Sequence, residues 1–228
     1  MLKLAIWDMD GTIVDSREVI QTAMVSAFVA LDLPPPEYNA TRQIVGLGLD
    51  EACRRLAPDD FDASQLPDLV DAYRQAFISR RTDPDFKEPL YDGACETLEK
   101  LRQDNWLIAM ATGKSHRGIR AIFDMHPLEP YFDTIWCADD GPGKPHPFMV
   151  EEAMKAVGVD PHQTLMIGDA VFDIQMGKAA GVETHGVGWG FGTADELHAV
   201  GADFVHDDFS SLTRALNNFE QDLSATIV

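Results

Sequence analysis

Apolar residues form two kinds of run along this chain. Short, mostly apolar stretches occur at residues 2–7, 106–111, 134–138, 164–167, 183–187 and 204–205. Runs of this length bounded by turn residues predict strands buried on both faces. Between the later stretches, apolar positions recur at helical spacing, predicting helices over residues 94–103, 116–124, 147–157, 172–180, 194–199 and 209–219. Strands alternating with helices predict an α/β fold, a doubly wound parallel sheet with helices on both faces. The first strand belongs to this later sheet although about a hundred residues separate it from the next predicted strand.

The intervening stretch shows no strand pattern. Val19, Ile20, Ala23, Met24, Ala27, Phe28 and Leu31 share one helical face, with Asp15-Ser16 as a cap and Glu18 in the first turn. Pro34-Pro35-Pro36 is expected to end that helix. Leu66, Leu69, Val70, Tyr73 and Phe77 define another. Ile44-Val45-Gly46-Leu47-Gly48-Leu49 reads as a loop leading into a helix over residues 50–56. The expected organisation is a core of residues 1–15 and 87–228, with residues 16–86 inserted as an all-helical cap that leaves and re-enters it beside the first strand.

Four predicted strand ends or loops carry polar groups. The first strand runs into Asp8-Met9-Asp10-Gly11-Thr12, the second into Thr112-Gly113, and the fourth into Gly168-Asp169 with Asp173 four residues on. Lys144 lies in the loop Gly143-Lys144-Pro145. Ligands of open α/β sheets bind at the carboxyl ends of strands. Alternation along the chain aims Asp8 and Asp10 the same way, and two carboxylates that close need a cation, a shared proton or a wet site. A helix after Gly168 would bring Asp169 and Asp173 to one face of its first turn.

Composition narrows the partners. The 228 residues carry a net charge of −20, which repels nucleic acid and anionic membrane. A site for a small anion would then need local positive charge, from Lys144 and a bound cation. Cys53, Cys95 and Cys137 are odd in number and lack metal-ligand spacing, as expected of reduced thiols in the cytoplasm. No apolar run is long enough to span a membrane, and the residues before Asp8 are too few for a signal-peptide core. Gly113-Lys114-Ser115 is not a P-loop, since Ile108 stands where that motif needs glycine, and the alternating glycines of 186–192 do not match a dinucleotide fingerprint.

The ordered set Asp8-x-Asp10-Gly-Thr, strand-Thr112-Gly113, Gly-Lys144-Pro and Gly-Asp169-x-x-x-Asp173 resembles the haloacid dehalogenase superfamily of phosphotransferases over essentially the whole chain. The chain is most similar to the phosphoglycolate phosphatase-like branch with a helical cap. The resemblance implies a magnesium-dependent phosphomonoesterase. Asp8 would be the nucleophile that forms a phosphoaspartate, and Asp10 the general acid and then base. Thr112, Gly113 and Lys144 would hold the phosphoryl group. Mg2+ would be held by Asp8, Asp169 and the Asp10 carbonyl, with Asp173 in support. Two other readings are open: a sugar phosphomutase of the same superfamily, and a phosphorylated receiver-like signalling module, which also uses acidic residues, a threonine and a lysine. Arg42, Arg54, Arg55 and Lys114 are candidates to contact an anionic leaving group, with Arg42 and Arg54 the expected specificity residues of the cap. The expected partner is a small phosphorylated metabolite, with neither nucleic acid nor membrane, and the protein is expected to be a monomer or homodimer.

Overall fold

The computed structural model describes residues 2–82 and 86–225. Residues 83–85, inside the predicted insert, lie outside the described residues, as do Met1 and 226–228 of the predicted core. In chain order the elements are β1 (Leu4–Trp7), α1 (Arg17–Ala30), α2 (Tyr38–Arg42), α3 (Leu49–Leu56), α4 (Leu66–Arg81), α5 (Ala94–Gln103), β2 (Leu107–Thr112), α6 (His116–Met125), β3 (Thr134–Cys137), α7 (Phe148–Val157), β4 (Thr164–Gly168), α8 (Val171–Ala179), β5 (Glu183–Val187), α9 (Ala194–Ala199), β6 (Phe204–His206) and α10 (Phe209–Ala225).

The strands form one parallel sheet in the order β3-β2-β1-β4-β5-β6. This is the doubly wound α/β arrangement, and β1 lies at its centre, where the winding reverses. Alternation along β1 sends Ala5 and Trp7 into one hydrophobic layer with Leu98, Ile122 and Leu212, and Leu4 and Ile6 into the other with Met149, Ala153 and Met176. Both faces are therefore dry, which is why the strands read as unbroken apolar runs. Trp7 pairs in register with Met110 of β2 and Ile167 of β4. Asp8, Thr112 and Asp169 thus leave the sheet at nearly the same level. The Asp8 amide extends the ladder by donating to the Ile167 carbonyl (2.9 Å).

Between β1 and α5 the described residues contain helices and turns and no strand, with isolated bridges only from Val14 to Asp10 and Leu90. The two chain crossings run side by side there: Asp15 donates to the Pro89 carbonyl (2.8 Å) and Tyr91 to that of Ile13 (3.0 Å). α1 stops before the prolines expected to end it. Asp32 takes a left-handed conformation (φ 56°), and the amides of Leu31, Asp32 and Leu33 turn back on the Phe28 and Val29 carbonyls. α2 was not predicted, because five residues are too few to show a helical period. The insert's apolar faces pack together (Met24, Phe28, Val45, Leu69), and Ala170, Phe172 and Phe191 of the core join the same cluster.

Candidate active site

The strand ends of β1, β2 and β4 converge on one buried acidic centre. Lys144 is its hub: the fully buried Nζ donates to Asp8 Oδ1 (2.5 Å) and lies 2.6 Å from Asp173 Oδ1. Asp169 is held on both oxygens, by the Thr12 hydroxyl (3.0 Å) and the Phe191 amide (2.6 Å). Asp173 accepts the Ala170 amide (3.0 Å) at the start of α8, so the helix end fixes the carboxylate's direction. Gly11 turns the chain between Asp10 and Thr12 with φ +85°, and a Cβ there would come within 2.2 Å of Asp169 Oδ2. Only glycine fits both demands.

Burial with like charges shapes the protonation of this centre. Burial pushes the Asp8 carboxyl up to about 7, with Asp173 and Asp10 adding to the rise and Lys144 opposing it. Burial also raises Asp169, helped by Asp8 and Asp173. For Lys144 burial alone would favour the neutral amine. The Asp173 and Asp8 carboxylates outweigh it and hold the ammonium above its ordinary range.

Carboxylate oxygens of Asp8, Asp169 and Asp173 lie within 4.8 Å of one another, close enough to share an ion. Asp8 Oδ2 is buried and has no hydrogen-bond partner among the described residues. An unpaired buried carboxylate oxygen beside two further acids fits a hard divalent cation with oxygen ligands, such as magnesium. The Asp10 carboxylate is not in this group. It lines the same cavity, 2.8 Å from Lys114 Nζ. Lys114 in turn lies 3.8 Å from Glu88, whose other oxygen accepts from Arg81 of α4 (3.0 Å).

The Thr112 hydroxyl accepts the Lys114 amide (3.2 Å), which leaves its proton for a ligand. Gly113 lets the insert come down on the site. A Cβ there would sit 2.6 Å from the Gly46 carbonyl oxygen and 2.8 Å from that of Leu47. The same cavity is lined by Asp8, Asp10, Thr112, Gly113, Lys114 and Lys144. The two expected cap residues are elsewhere. Arg42 is bidentate to Glu196 of α9 (2.8 and 2.9 Å) and also donates to the Phe191 carbonyl (3.2 Å). Arg54 is exposed and pairs with Glu51, as does Arg55 (2.7 Å). None of these three arginines lines the cavity.

Sequence reasoning missed Glu88, Arg81 and the Phe191 amide. The glycines around Trp189 were the one available signal for the last, since Gly190 also packs where a Cβ would meet Asp169 Oδ2 at 2.2 Å.

A parallel sheet ending in a nucleophile-sized carboxylate, a buried lysine and a potential cation cage defines a phosphotransferase-type α/β hydrolase. The chain belongs to the haloacid dehalogenase-like hydrolases, whose family model matches residues 5–187. It is 32% identical over 216 residues to "Probable phosphatase IndB" of Dickeya dadantii, covering 94% of each chain. It is 29% identical to "Phosphoglycolate phosphatase" of Pseudomonas putida, over 92% of this chain and 78% of that one. A hydrolase from Pseudomonas syringae shares the fold with a TM-score of 0.83 at 24% identity, over 95% of this chain and 98% of that chain.

Proposed function

We propose that the chain is a magnesium-dependent phosphomonoesterase that works through a phosphoaspartate on Asp8. The observation that supports this most is the arrangement of Asp8: buried at the end of β1, bound by Lys144 on one oxygen and unpaired on the other. Lys144 and the amides around Thr112 and Gly113 offset the charge of an incoming phosphoryl group, the main demand of this chemistry. Asp8 attacks phosphorus as the ester oxygen departs, and water later cleaves the acyl phosphate to return the carboxylate. Asp10 supplies the proton to the leaving oxygen and afterwards takes one from water. Asp8, Asp169 and Asp173 would hold magnesium, which would neutralise phosphoryl oxygens. Access to a small phosphorylated metabolite is through the cavity under the insert. The relative named phosphoglycolate phosphatase makes 2-phosphoglycolate the first candidate to test.

The test is phosphate release from 2-phosphoglycolate, sugar phosphates, nucleoside monophosphates, aryl phosphates and pyrophosphate, with magnesium and with chelator. Release is expected with magnesium and is expected to vanish in Asp8→Asn. Retention of most of the rate in that variant would sink the covalent mechanism. Isomerised sugar phosphate without phosphate release would point to the mutase instead. A single phosphorylation without turnover would point to the receiver.

A further inference from the structure

The cavity under the insert is partly open to solvent and has room for far more than a two-carbon alcohol. Its volume is about 890 Å³, within the roughly 300–1,000 Å³ range that encloses drug-sized ligands. This space does not come from a lifted insert. The Gly46 and Leu47 carbonyls sit directly on Gly113, Arg42 reaches Glu196 at 2.8 Å, and Phe172 and Phe191 share the insert's hydrophobic cluster. Away from the acidic centre the wall is mixed, and Met24, Val45, Leu47 and Phe77 give it an apolar stretch among charged residues.

The cations of the cavity are committed, with one exception. Lys144 serves Asp8 and Asp173, Lys114 serves Asp10, Arg81 serves Glu88, and Arg74 serves Asp71 (3.0 Å). Arg117, in the first turn of α6, lines the cavity, is exposed, and has no carboxylate partner among the described residues. The acids on the same wall are mostly engaged as well. Glu51 pairs with Arg54 and Arg55, Asp71 with Arg74, and Asp139 accepts the His116 amide (2.8 Å), while Asp50 is exposed in the first turn of α3.

We infer that the substrate is a phosphate monoester whose leaving group is much larger than glycolate, with an apolar or aromatic body and a second anionic group that Arg117 binds. This rests on the phosphomonoesterase reading above and adds the class of alcohol. The phosphoryl end is read by the core. The apolar body displaces water from the apolar stretch of the wall, and burial of such a surface favours binding. Arg117 forms a charge-assisted pair with the distal anion. Arg117 is thus a specificity residue contributed by the core helix that follows β2, not by the insert.

The experiment compares 2-phosphoglycolate, 4-methylphenyl phosphate and 4-carboxyphenyl phosphate on the wild-type protein, Arg117→Met and Arg117→Lys. Wild-type kcat/KM is expected to be at least about tenfold higher for the carboxyphenyl ester than for 2-phosphoglycolate, and Arg117→Met is expected to remove about tenfold from the former, mainly through KM. The methylphenyl ester, lacking the anion, is expected to change by less than about twofold, and Arg117→Lys to recover part of the loss. Unchanged melting temperatures show that both variants fold. Preference for 2-phosphoglycolate, or equal loss on both aryl esters in Arg117→Met, overturns the inference while leaving the phosphatase reading intact. Failure of every ester to release phosphate overturns both.

Discussion

Asp8 illustrates a residue whose catalytic position opposes stability. Its carboxyl is raised from 3.8 to about 7 because it is buried beside other acids. A carboxyl with a raised folded pKa binds its proton more tightly when folded. The folded state therefore loses stability as pH rises from about 4 to about 7, and the whole penalty is present above that window. In metal-free buffer Asp8→Asn is expected to be inactive yet to melt at or above the wild-type temperature at pH 8. The gain is of order a few kcal/mol at most, since the asparagine also gives up its charge pairing with Lys144. Melting curves across pH check the sign: the difference should shrink as pH falls towards 4. A variant that melts well below wild type at pH 8 would mean that the Asp8–Lys144 pair stabilises the fold more than burial of Asp8 costs. The second half of this site was harder to read. The sequence marked Asp8, Asp10, Thr112, Lys144 and Asp169 because each sits at or just past the end of an apolar run or in a Gly/Pro loop, and Asp173 because it stands one helical turn beyond Asp169. Glu88 and Arg117 sit in no such context, and their placement depends on how the crossings and α6 pack.

At the scale of elements, the boundary between insert and core depends on one small residue. Gly113 follows β2, and the space its missing side chain leaves is filled by the backbone carbonyls of Gly46 and Leu47. Backbone cannot swing aside as a flexible side chain can, so Gly113→Ala must push the loop before α3 off the strand end. Shifts of about 1 Å in a catalytic arrangement cost on the order of a hundredfold. Gly113→Ala is expected to lose about that much kcat/KM on every ester alike. Hydrogen exchange is expected to quicken in the loop and α3 while β1, β2 and β4 keep their protection. Unchanged exchange in the loop would show that the two surfaces are not in register contact in solution. The same contact explains what the sequence could and could not tell. β1, β2 and β4 were legible because both their faces are buried, leaving unbroken apolar runs. α2 and the left-handed stop at Asp32 were not, since a five-residue helix has no period and the real stop precedes the prolines. The seating of Gly46 on Gly113 joins residues far apart in the chain and leaves no local pattern.

For the whole molecule, the issue is what keeps insert and core together on a chain of net charge −20. Apolar contact through Phe172 and Phe191 supplies part of it. The polar part includes the pair of Arg81 in α4 with buried Glu88 (3.0 Å) and the bidentate pair of Arg42 in α2 with Glu196 in α9, which the Thr193 amide also supports (2.9 Å). The Arg42 guanidinium lowers the Glu196 carboxyl from 4.5 to about 2, with the Thr193 amide assisting. A depressed carboxyl contributes its stability above its unfolded pKa and loses it as pH falls from about 4.5 through 2, so at neutral pH the pair is at full strength. Glu196 is partly exposed, and solvent screening brings the expected coupling down to about 1 kcal/mol. Arg42→Ala and Glu196→Gln are each expected to lower kcat/KM by a similar factor on all esters, because both loosen the seating of the insert without touching the cavity. The double variant should be no worse than the more damaging single one, the signature of two residues acting through one contact. High salt should narrow the difference from wild type. A change in the order of preferred substrates in Arg42→Ala would contradict this clasp and place Arg42 against the leaving group, as its position in the insert first suggested. Proportional loss instead assigns specificity to the cavity wall and Arg117, with Arg42 acting on every substrate by holding that wall in place.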